Sequence, residues 1–150
     1  MILNEVLTRQ NVFTKILLKD NEKELPKELK VKIMRIRLAY SKIKKNFDTE
    51  VQEFTEQLIT DEYKELSSKE RTSEENVIFE ELSNSINSEY QEFLIQKGTE
   101  DVSMIDDTLT EEEYFKILEV NIENDIEING NKILAPEFLE IVYDMFVKQD

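Results

Sequence analysis

The chain has 150 residues, of which 34 are Asp or Glu and 19 are Lys or Arg, so its formal net charge is −15. It contains no Cys and no His, which excludes disulfide scaffolds, thiol nucleophiles, Ser-His-Asp triads and Cys/His zinc sites. Two Gly and two Pro exclude glycine-rich phosphate loops and disfavour turn-rich all-β folds. The composition therefore predicts an acidic, mainly α-helical protein without these catalytic devices.

The charge is unevenly distributed along the chain. Residues 1–50 hold 12 Lys and Arg against 7 Asp and Glu, whereas residues 51–150 hold 7 against 27. A chain divided in this way either folds so that its halves face each other or presents two surfaces of opposite charge to partners. No apolar run approaches the roughly 20 residues of a membrane span, and the first residues do not resemble a signal peptide.

Two helices are predicted in the first 66 residues. Residues from Leu3 to about Lys19 place their apolar side chains on one face of a short helix. A new helix is predicted to begin at Pro26, because proline is tolerated at a first helical position. Its apolar seam, spaced by three and four residues, consists of Leu29, Ile33, Ile36, Tyr40, Ile43 and Phe47, continued by Val51, Phe54 and Leu58. With no Gly or Pro in residues 27–66, we predict one helix of about forty residues, roughly 60 Å long.

A second seamed helix follows a polar connection at residues 67–73, with Thr72 or Ser73 as its N-cap. Its seam consists of Phe79, Leu82, Ile86, Tyr90 and Phe93. Gly98 is predicted to follow its end as a C′ residue. The two helices predict an antiparallel helical hairpin, in which the aromatic residues pack as core rather than forming a cofactor or base-stacking site.

The last third predicts a small α+β cap. Thr110 and Glu113 have the spacing of a capping box and open a short helix. Apolar residues at even positions predict a strand: they are Val120, Ile122, Ile126 and Ile128. Asn129-Gly130 predicts a hairpin turn, and Pro136 begins a terminal helix. We therefore predict residues 1–98 as an N-terminal helix and long hairpin, and residues 99–150 as a cap packed on it.

One segment has part of a calcium-binding pattern. Asp125, Glu127, Asn129 and Gly130 match positions 1, 3, 5 and 6 of an EF-hand loop. The twelfth position falls on Pro136 instead of a bidentate glutamate, so we favour the β-hairpin.

Two acidic clusters could in principle bind Mg²⁺ or supply paired carboxylates for acid–base catalysis: Asp106-Asp107 and Glu111–Glu113. A solvated helix N-terminus explains them better, because acidic side chains there oppose the helix dipole. We accordingly predict no catalytic, metal-binding or cofactor-binding residues and no enzymatic activity.

A basic run is the main candidate for partner binding. Its candidate residues are Lys30, Lys32, Arg35, Arg37, Lys42, Lys44 and Lys45. These side chains could bind an acidic partner, whereas nucleic acid is disfavoured by the net charge of −15. The alternative, which we favour, is pairing inside the hairpin with acidic residues of the second helix. Those residues are Glu74, Glu75, Glu80, Glu81, Glu89 and Glu92.

The order of these motifs resembles a known pattern. The chain has Glu24-Leu25-Pro26-Lys27 at the entry to a long charged helix, then alternating apolar residues, and then Ile133-Leu134-Ala135-Pro136 before a last helix. This resembles an uncharacterised family of small tailed-bacteriophage proteins with a helical hairpin and a short β segment. The resemblance covers most of the chain in order, except residues 67–110, and it implies a phage origin without transferable catalytic residues.

From the residues and this resemblance we expect a non-enzymatic phage structural or assembly protein, acting as a virion adaptor, ring or packaged component. Its expected partners are other phage structural proteins or further copies of itself, in a homo-oligomer within an assembly, without a membrane or a cofactor. The expected location is the virion or the host cytoplasm. The alternative is a small acidic inhibitor that mimics nucleic acid and blocks a host protein, because residues 51–150 are strongly acidic.

Overall fold

A computed structural model describes residues 1–149, which form six helices and one two-stranded antiparallel sheet. The helices are α1 (Leu3–Phe13), α2 (Lys27–Leu58), α3 (Asp61–Ser67), α4 (Ser73–Gly98), α5 (Glu111–Asn121) and α6 (Ala135–Phe146). The strands are β1 (Ile126–Ile128) and β2 (Asn131–Ile133). The predicted fold class is confirmed: the chain is mainly α, with a helical hairpin and a small C-terminal α+β part.

One hydrophobic core joins α1, the first half of α2, α5, the β-hairpin and α6. The ring of Phe13 lies at its centre, 5.7 Å from Tyr40 and 5.1 Å from Phe146 between ring centroids. Ile33, Ile117 and other apolar residues of these elements complete this cluster. We call residues 1–46 and 99–149 the body. Its core contains residues from both sides of the predicted boundary at residue 98, and that division into units stays a prediction.

We call residues 47–98 the arm, which consists of the C-terminal end of α2, from Phe47, with α3 and α4. The predicted seam forms here, and Phe54 stacks on Phe93 at 4.1 Å between ring centroids. Tyr63 likewise stacks on Phe79 at 5.2 Å. Within residues 47–98, however, only Leu66 and Gly98 are fully buried. Two main helices and one short one cannot enclose the seam, so its side chains remain half-buried.

Several local predictions are confirmed. The Thr72 hydroxyl accepts a hydrogen bond from the Glu75 amide at 3.2 Å, and Thr110 does the same for Glu113 at 3.1 Å, so both helices begin with capping boxes. Asn129-Gly130 forms the hairpin turn with φ of 52° and 80°. These positive values at both central positions are typical of a type I′ turn.

The long first helix of the hairpin is shorter than predicted. It ends at Leu58, and the Thr60 side chain then accepts a hydrogen bond from the Tyr63 amide at 3.2 Å. Thr60 is thus the N-cap of α3, a signal that the absence of Gly and Pro obscured. Gly98 is the last helical residue of α4 and not a C′ residue; a side chain there would overlap that of Asn4.

Two further predictions in the body are wrong. Helix α1 ends at Phe13 instead of near Lys19, and the predicted strand begins only at Ile126, because Val120 belongs to α5. Both errors involve Asn121, a fully buried residue of α5. Its side chain accepts a hydrogen bond from the Leu17 amide at 2.7 Å and donates one to the Leu17 carbonyl at 3.1 Å. This long-range pairing fixes the backbone of Leu17, which lies outside any helix, against α5.

Candidate protein-interaction surfaces

The basic run divides into residues with a partner inside the chain and residues without one. Lys30 pairs with Glu24, and Lys32 pairs with Glu113 at 2.7 Å between Nζ and Oε1. Lys44 pairs with Asp48 at 2.8 Å, and Arg37 donates a hydrogen bond to the carbonyl of Ile16. Three of the seven predicted residues make neither an ion pair nor a side-chain hydrogen bond within residues 1–149: Arg35, Lys42 and Lys45.

The favoured pairing of this run with the glutamates of α4 is wrong. In the hairpin Phe93 lies against Phe54, and Lys97 pairs with Glu50 at 2.5 Å, so α4 ends opposite Glu50, in the C-terminal part of α2. Residues 27–45 therefore lie beyond the end of α4, within the body. No ion pair between the basic run and any of those glutamates forms in the part of the chain that the structure describes.

Helix α2 presents an unusual surface on the side opposite the core. Val31, Met34 and Leu38 follow at steps of three and four and are 44%, 46% and 67% exposed. The exposed cations Lys27, Arg35, Lys42 and Lys45 lie on the same helix face. We call these seven residues the basic stripe. An apolar row of helical spacing with a cationic border is typical of a surface that binds an acidic amphipathic partner.

A groove borders the basic stripe at Lys42. It lies between α2 and the segment at residues 100–105 and has a volume of about 520 Å³. Ile43, Val102 and Met104 give it an apolar floor, whereas Glu50 and Glu100 are charged. This volume is enough for the side chains of a partner, since ligand pockets usually measure about 300–1,000 Å³.

On the other flank of α2, Arg37, Lys44 and Lys45 line a polar cleft of about 460 Å³ beside the end of α1. Burial lowers the pKa of Arg37, and its Nε is buried without a hydrogen-bond partner among residues 1–149. Asp48 also lines the cleft and offsets part of its positive charge. The predicted residues thus surround α2 on several sides and do not converge on one site.

The arm carries the opposite charge. Residues 47–98 hold 14 Asp and Glu against 4 Lys and Arg. On the face of α4 opposite the aromatic seam, exposed residues follow at steps of three and four: Glu74, Val77, Glu81, Asn84, Ser88, Glu92 and Ile95. We call these seven residues the acidic stripe. Val77 and Ile95 are 56% and 66% exposed, so this stripe also combines apolar side chains with one sign of charge.

One residue of the predicted surface cluster Asp106-Asp107 is in fact buried. Asp107, expected at a solvated helix end, is 3% exposed. Its carboxylate accepts two hydrogen bonds of 2.7 Å from the Arg9 guanidinium and a third from the Tyr40 hydroxyl. Hydrogen bonding to Asp107 raises the pKa of Arg9, and burial with the Asp107 bond raises that of Tyr40. Arg9 and Tyr40 lie 98 and 67 positions before Asp107 in the sequence. Their network therefore fixes α1, α2 and the segment before α5 together.

Comparison of the chain with family models, with curated proteins and with solved structures finds no match. None of the helices within residues 1–149 has both the length and the apolar composition required to cross a bilayer. Across the same residues, no three acidic side chains are grouped so that they could hold a metal ion. The basic and acidic stripes are therefore the features from which we argue a function.

Proposed function

We propose that this chain is a non-enzymatic structural or assembly protein of a bacteriophage, acting as an adaptor, ring or packaged component through protein–protein contacts. The observation that carries the proposal is the apolar row of Val31, Met34 and Leu38, which is exposed on the part of α2 whose opposite face, from Leu29 to Tyr40, is buried in the core. Exposed apolar residues in helical register are characteristic of docking surfaces.

The energetics favour repeated contacts over one isolated contact. Complete burial of three half-exposed apolar side chains would contribute about 3 kcal/mol. Association costs about 4–15 kcal/mol in lost translational and rotational freedom, so one such row binds weakly by itself. A ring or shell makes the same contact many times, and linked contacts gain strength through effective concentration. The surface therefore suits a subunit of an assembly.

The phage origin is supported by the order of elements. The Leu25-Pro26-Lys27 entry leads into α2, and a short β-hairpin precedes a last helix with Pro136 in its first turn. This is the order that the resemblance to small tailed-phage proteins implies.

The proposal is tested on the phage whose genome encodes the chain. Particles purified on a density gradient are analysed by quantitative mass spectrometry, and particles from a deletion mutant are counted and imaged by electron microscopy. We expect either a stoichiometric number of copies per particle or a deletion mutant with incomplete particles. A protein absent from particles, with normal particles in its absence, contradicts the proposal.

A second candidate, the acidic inhibitor that mimics nucleic acid, is supported by the excess of carboxylates in the arm. Mimicry requires a continuous row of carboxylates, whereas Val77, Asn84, Ser88 and Ile95 interrupt the glutamates of the acidic stripe. We therefore place this function second. Salt-sensitive binding to a host nuclease or polymerase, competed by DNA, would reverse the order, because salt screens such contacts.

A further inference from the structure

The basic stripe and the acidic stripe are similar in length, and they carry opposite charges. The basic stripe extends over 18 residue steps from Lys27 to Lys45, and the acidic stripe over 21 steps from Glu74 to Ile95. At 1.5 Å per residue these lengths are about 27 and 32 Å. Each stripe has exposed residues at helical spacing and charges of one sign only. The basic stripe has three neighbouring apolar residues, whereas the acidic stripe has two, Val77 and Ile95, 18 positions apart. Two such helix faces can pack side by side chiefly through their complementary charges.

The fold prevents the two stripes from meeting inside one molecule. The basic stripe is on the body, facing away from the core, and the acidic stripe is on the arm, facing away from the seam. Both elements are connected by the continuous helix α2, which is 32 residues long and therefore about 48 Å. A straight helix cannot fold back on itself, so the stripes can come together only between different molecules.

We propose that the chain associates with further copies of itself head to tail, with the basic stripe of one copy packed on the acidic stripe of the next. This inference rests on the proposed function, since it names the partner at the docking surface described there. Because the two surfaces of the contact differ, it is heterologous, and each added copy leaves one free stripe at either end. Such contacts close into rings or extend as filaments, depending on the rotation between copies.

The charges favour a second copy over other occupants. The acidic stripe holds Glu74, Glu81 and Glu92 without a cation, opposite in sign to Lys27, Arg35, Lys42 and Lys45. A like-to-like contact between two acidic stripes would bring carboxylates together and is disfavoured. An anionic membrane would attract the basic stripe but repel the rest of a chain with net charge −15. Membrane binding is therefore an outcome of the test and not the proposal.

The first measurement is the mass of the full chain by sedimentation velocity and light scattering, at low and high salt and over a range of concentrations. We expect species larger than the 17.8 kDa monomer at low salt and dissociation at high salt, where the borders are screened. A chain that stays monomeric at all concentrations and salt conditions overturns the inference.

Two variants then separate the two sides of the contact. Leu38→Glu places a carboxylate in the basic stripe, and Ile95→Lys places a cation in the acidic stripe. Each variant alone is expected to lose at least tenfold in association constant. An equimolar mixture is expected to form a 1:1 dimer and no larger species, because each variant retains the surface that the other lacks. A mixture that stays monomeric, or single variants that assemble normally, overturns the inference.

Matched controls add the same charge outside the stripes. Ile122→Glu introduces a carboxylate at an apolar residue that is 57% exposed, and Gln96→Lys introduces a cation next to Ile95. Both are expected to assemble like the unmodified chain, and circular dichroism checks that all four variants are folded. Equal losses in the controls would overturn the inference in favour of a general charge effect. Binding to anionic vesicles that Leu38→Glu abolishes, without self-association, would overturn it in favour of a membrane.

The inference and the proposed function can fail separately. A monomeric protein that is nevertheless present in purified particles overturns head-to-tail association and leaves the structural role. A protein that assembles head to tail but is absent from particles, with normal particles in its absence, supports the inference and removes the proposed role.

Discussion

The body and the arm share helix α2 and yet differ in how deeply they bury the same seam. In the body, Leu29, Ile33, Ile36 and Tyr40 are all buried, because α1, α5 and α6 enclose them. In the arm, the seam residues from Phe47 to Leu58 continue the same spacing but are only half-buried. The periodicity of apolar residues thus specifies which face of a helix packs, while the number of neighbouring elements decides how deeply that face is buried.

The largest loss of stability is expected when a side chain at the centre of the body core is truncated. Phe13 is fully buried and contacts both Tyr40 and Phe146. We expect Phe13→Ala to lower the free energy of unfolding by about 4 kcal/mol, as large-to-small core substitutions do. Urea unfolding followed by circular dichroism measures this value. Phe115→Ala, at a residue 55% exposed, is the matched control and should cost less than about 1.5 kcal/mol; equal losses would show that Phe13 is not central.

A somewhat smaller loss is expected from the buried polar network of the body. Asp107→Asn keeps the shape of the side chain but removes the charge that Arg9 faces, leaving a guanidinium whose side chain is 14% exposed. We expect a loss of about 3 kcal/mol, because a largely buried charge without its counter-charge is strongly destabilising. The control is Asp101→Asn at an exposed position. A loss below about 1 kcal/mol at Asp107 would mean that Arg9 finds water instead.

These two sites also show what the sequence could and could not predict. Capping boxes, the Asn-Gly turn and the helical seams were predictable, because each depends on residues within a few positions of one another. The Arg9–Asp107 pair and the Asn121–Leu17 pairing connect residues 98 and 104 positions apart. No local pattern distinguishes such residues from solvated ones. Asp107 therefore looked like part of an exposed helix end, and Asn121 like the polar face of a strand.

The candidate site was predictable in part for the same reason. The basic run was visible as composition, but its division into paired and unpaired residues depends on the register of the hairpin. Because Lys97 pairs with Glu50, α4 ends before it reaches residues 27–45. The basic stripe could have been found from Val31, Met34 and Leu38, which have helical spacing on the face opposite the seam. That second apolar row was overshadowed by the stronger first one.

In the arm, the expected effect is smaller and local. Phe93→Ala removes the stacked partner of Phe54, but both rings are half-exposed, so we expect a loss of about 1–2 kcal/mol. Hydrogen exchange should show weaker protection of α3 and α4 amides, with α1, α5 and α6 unchanged, because regions with few buried contacts open separately. Phe13→Ala serves as the contrast, since it should weaken protection throughout the body. Equal loss of protection in both regions after Phe93→Ala would contradict a separately opening arm.

The smallest predicted effect depends on pH. Burial favours the neutral form of Glu113, but Lys32 and the Thr110 amide outweigh it and hold the pKa of Glu113 below its ordinary 4.5. Because the pKa is lower in the folded than in the unfolded state, the ionised carboxylate stabilises the fold above pH 4.5. This stabilisation is lost as the pH falls through the lowered pKa. We expect Glu113→Gln, which can keep the capping box, to cost about 0.5–1 kcal/mol at pH 7.

Urea unfolding of both proteins between pH 3 and 7 measures this difference, which should shrink toward the acidic end. Glu112→Gln is the control, because that side chain is 83% exposed and its ion pair, with Lys116, lies within one helix. A cost of Glu113→Gln that stays constant with pH would show that the charge of Glu113 is not its source.

Helix α2 belongs to both regions: its N-terminal part is fixed in the core of the body, and its C-terminal part extends into the arm. The 18 residue steps from Tyr40 to Leu58 extend about 27 Å, so a tilt of roughly 10° at Tyr40 displaces the far end by about 5 Å. The half-buried seam of the arm resists such bending far less than the enclosed core of the body does. If copies associate head to tail as proposed, bending of the arm would let them keep the same contact at slightly different angles, as a closed ring or a curved shell requires.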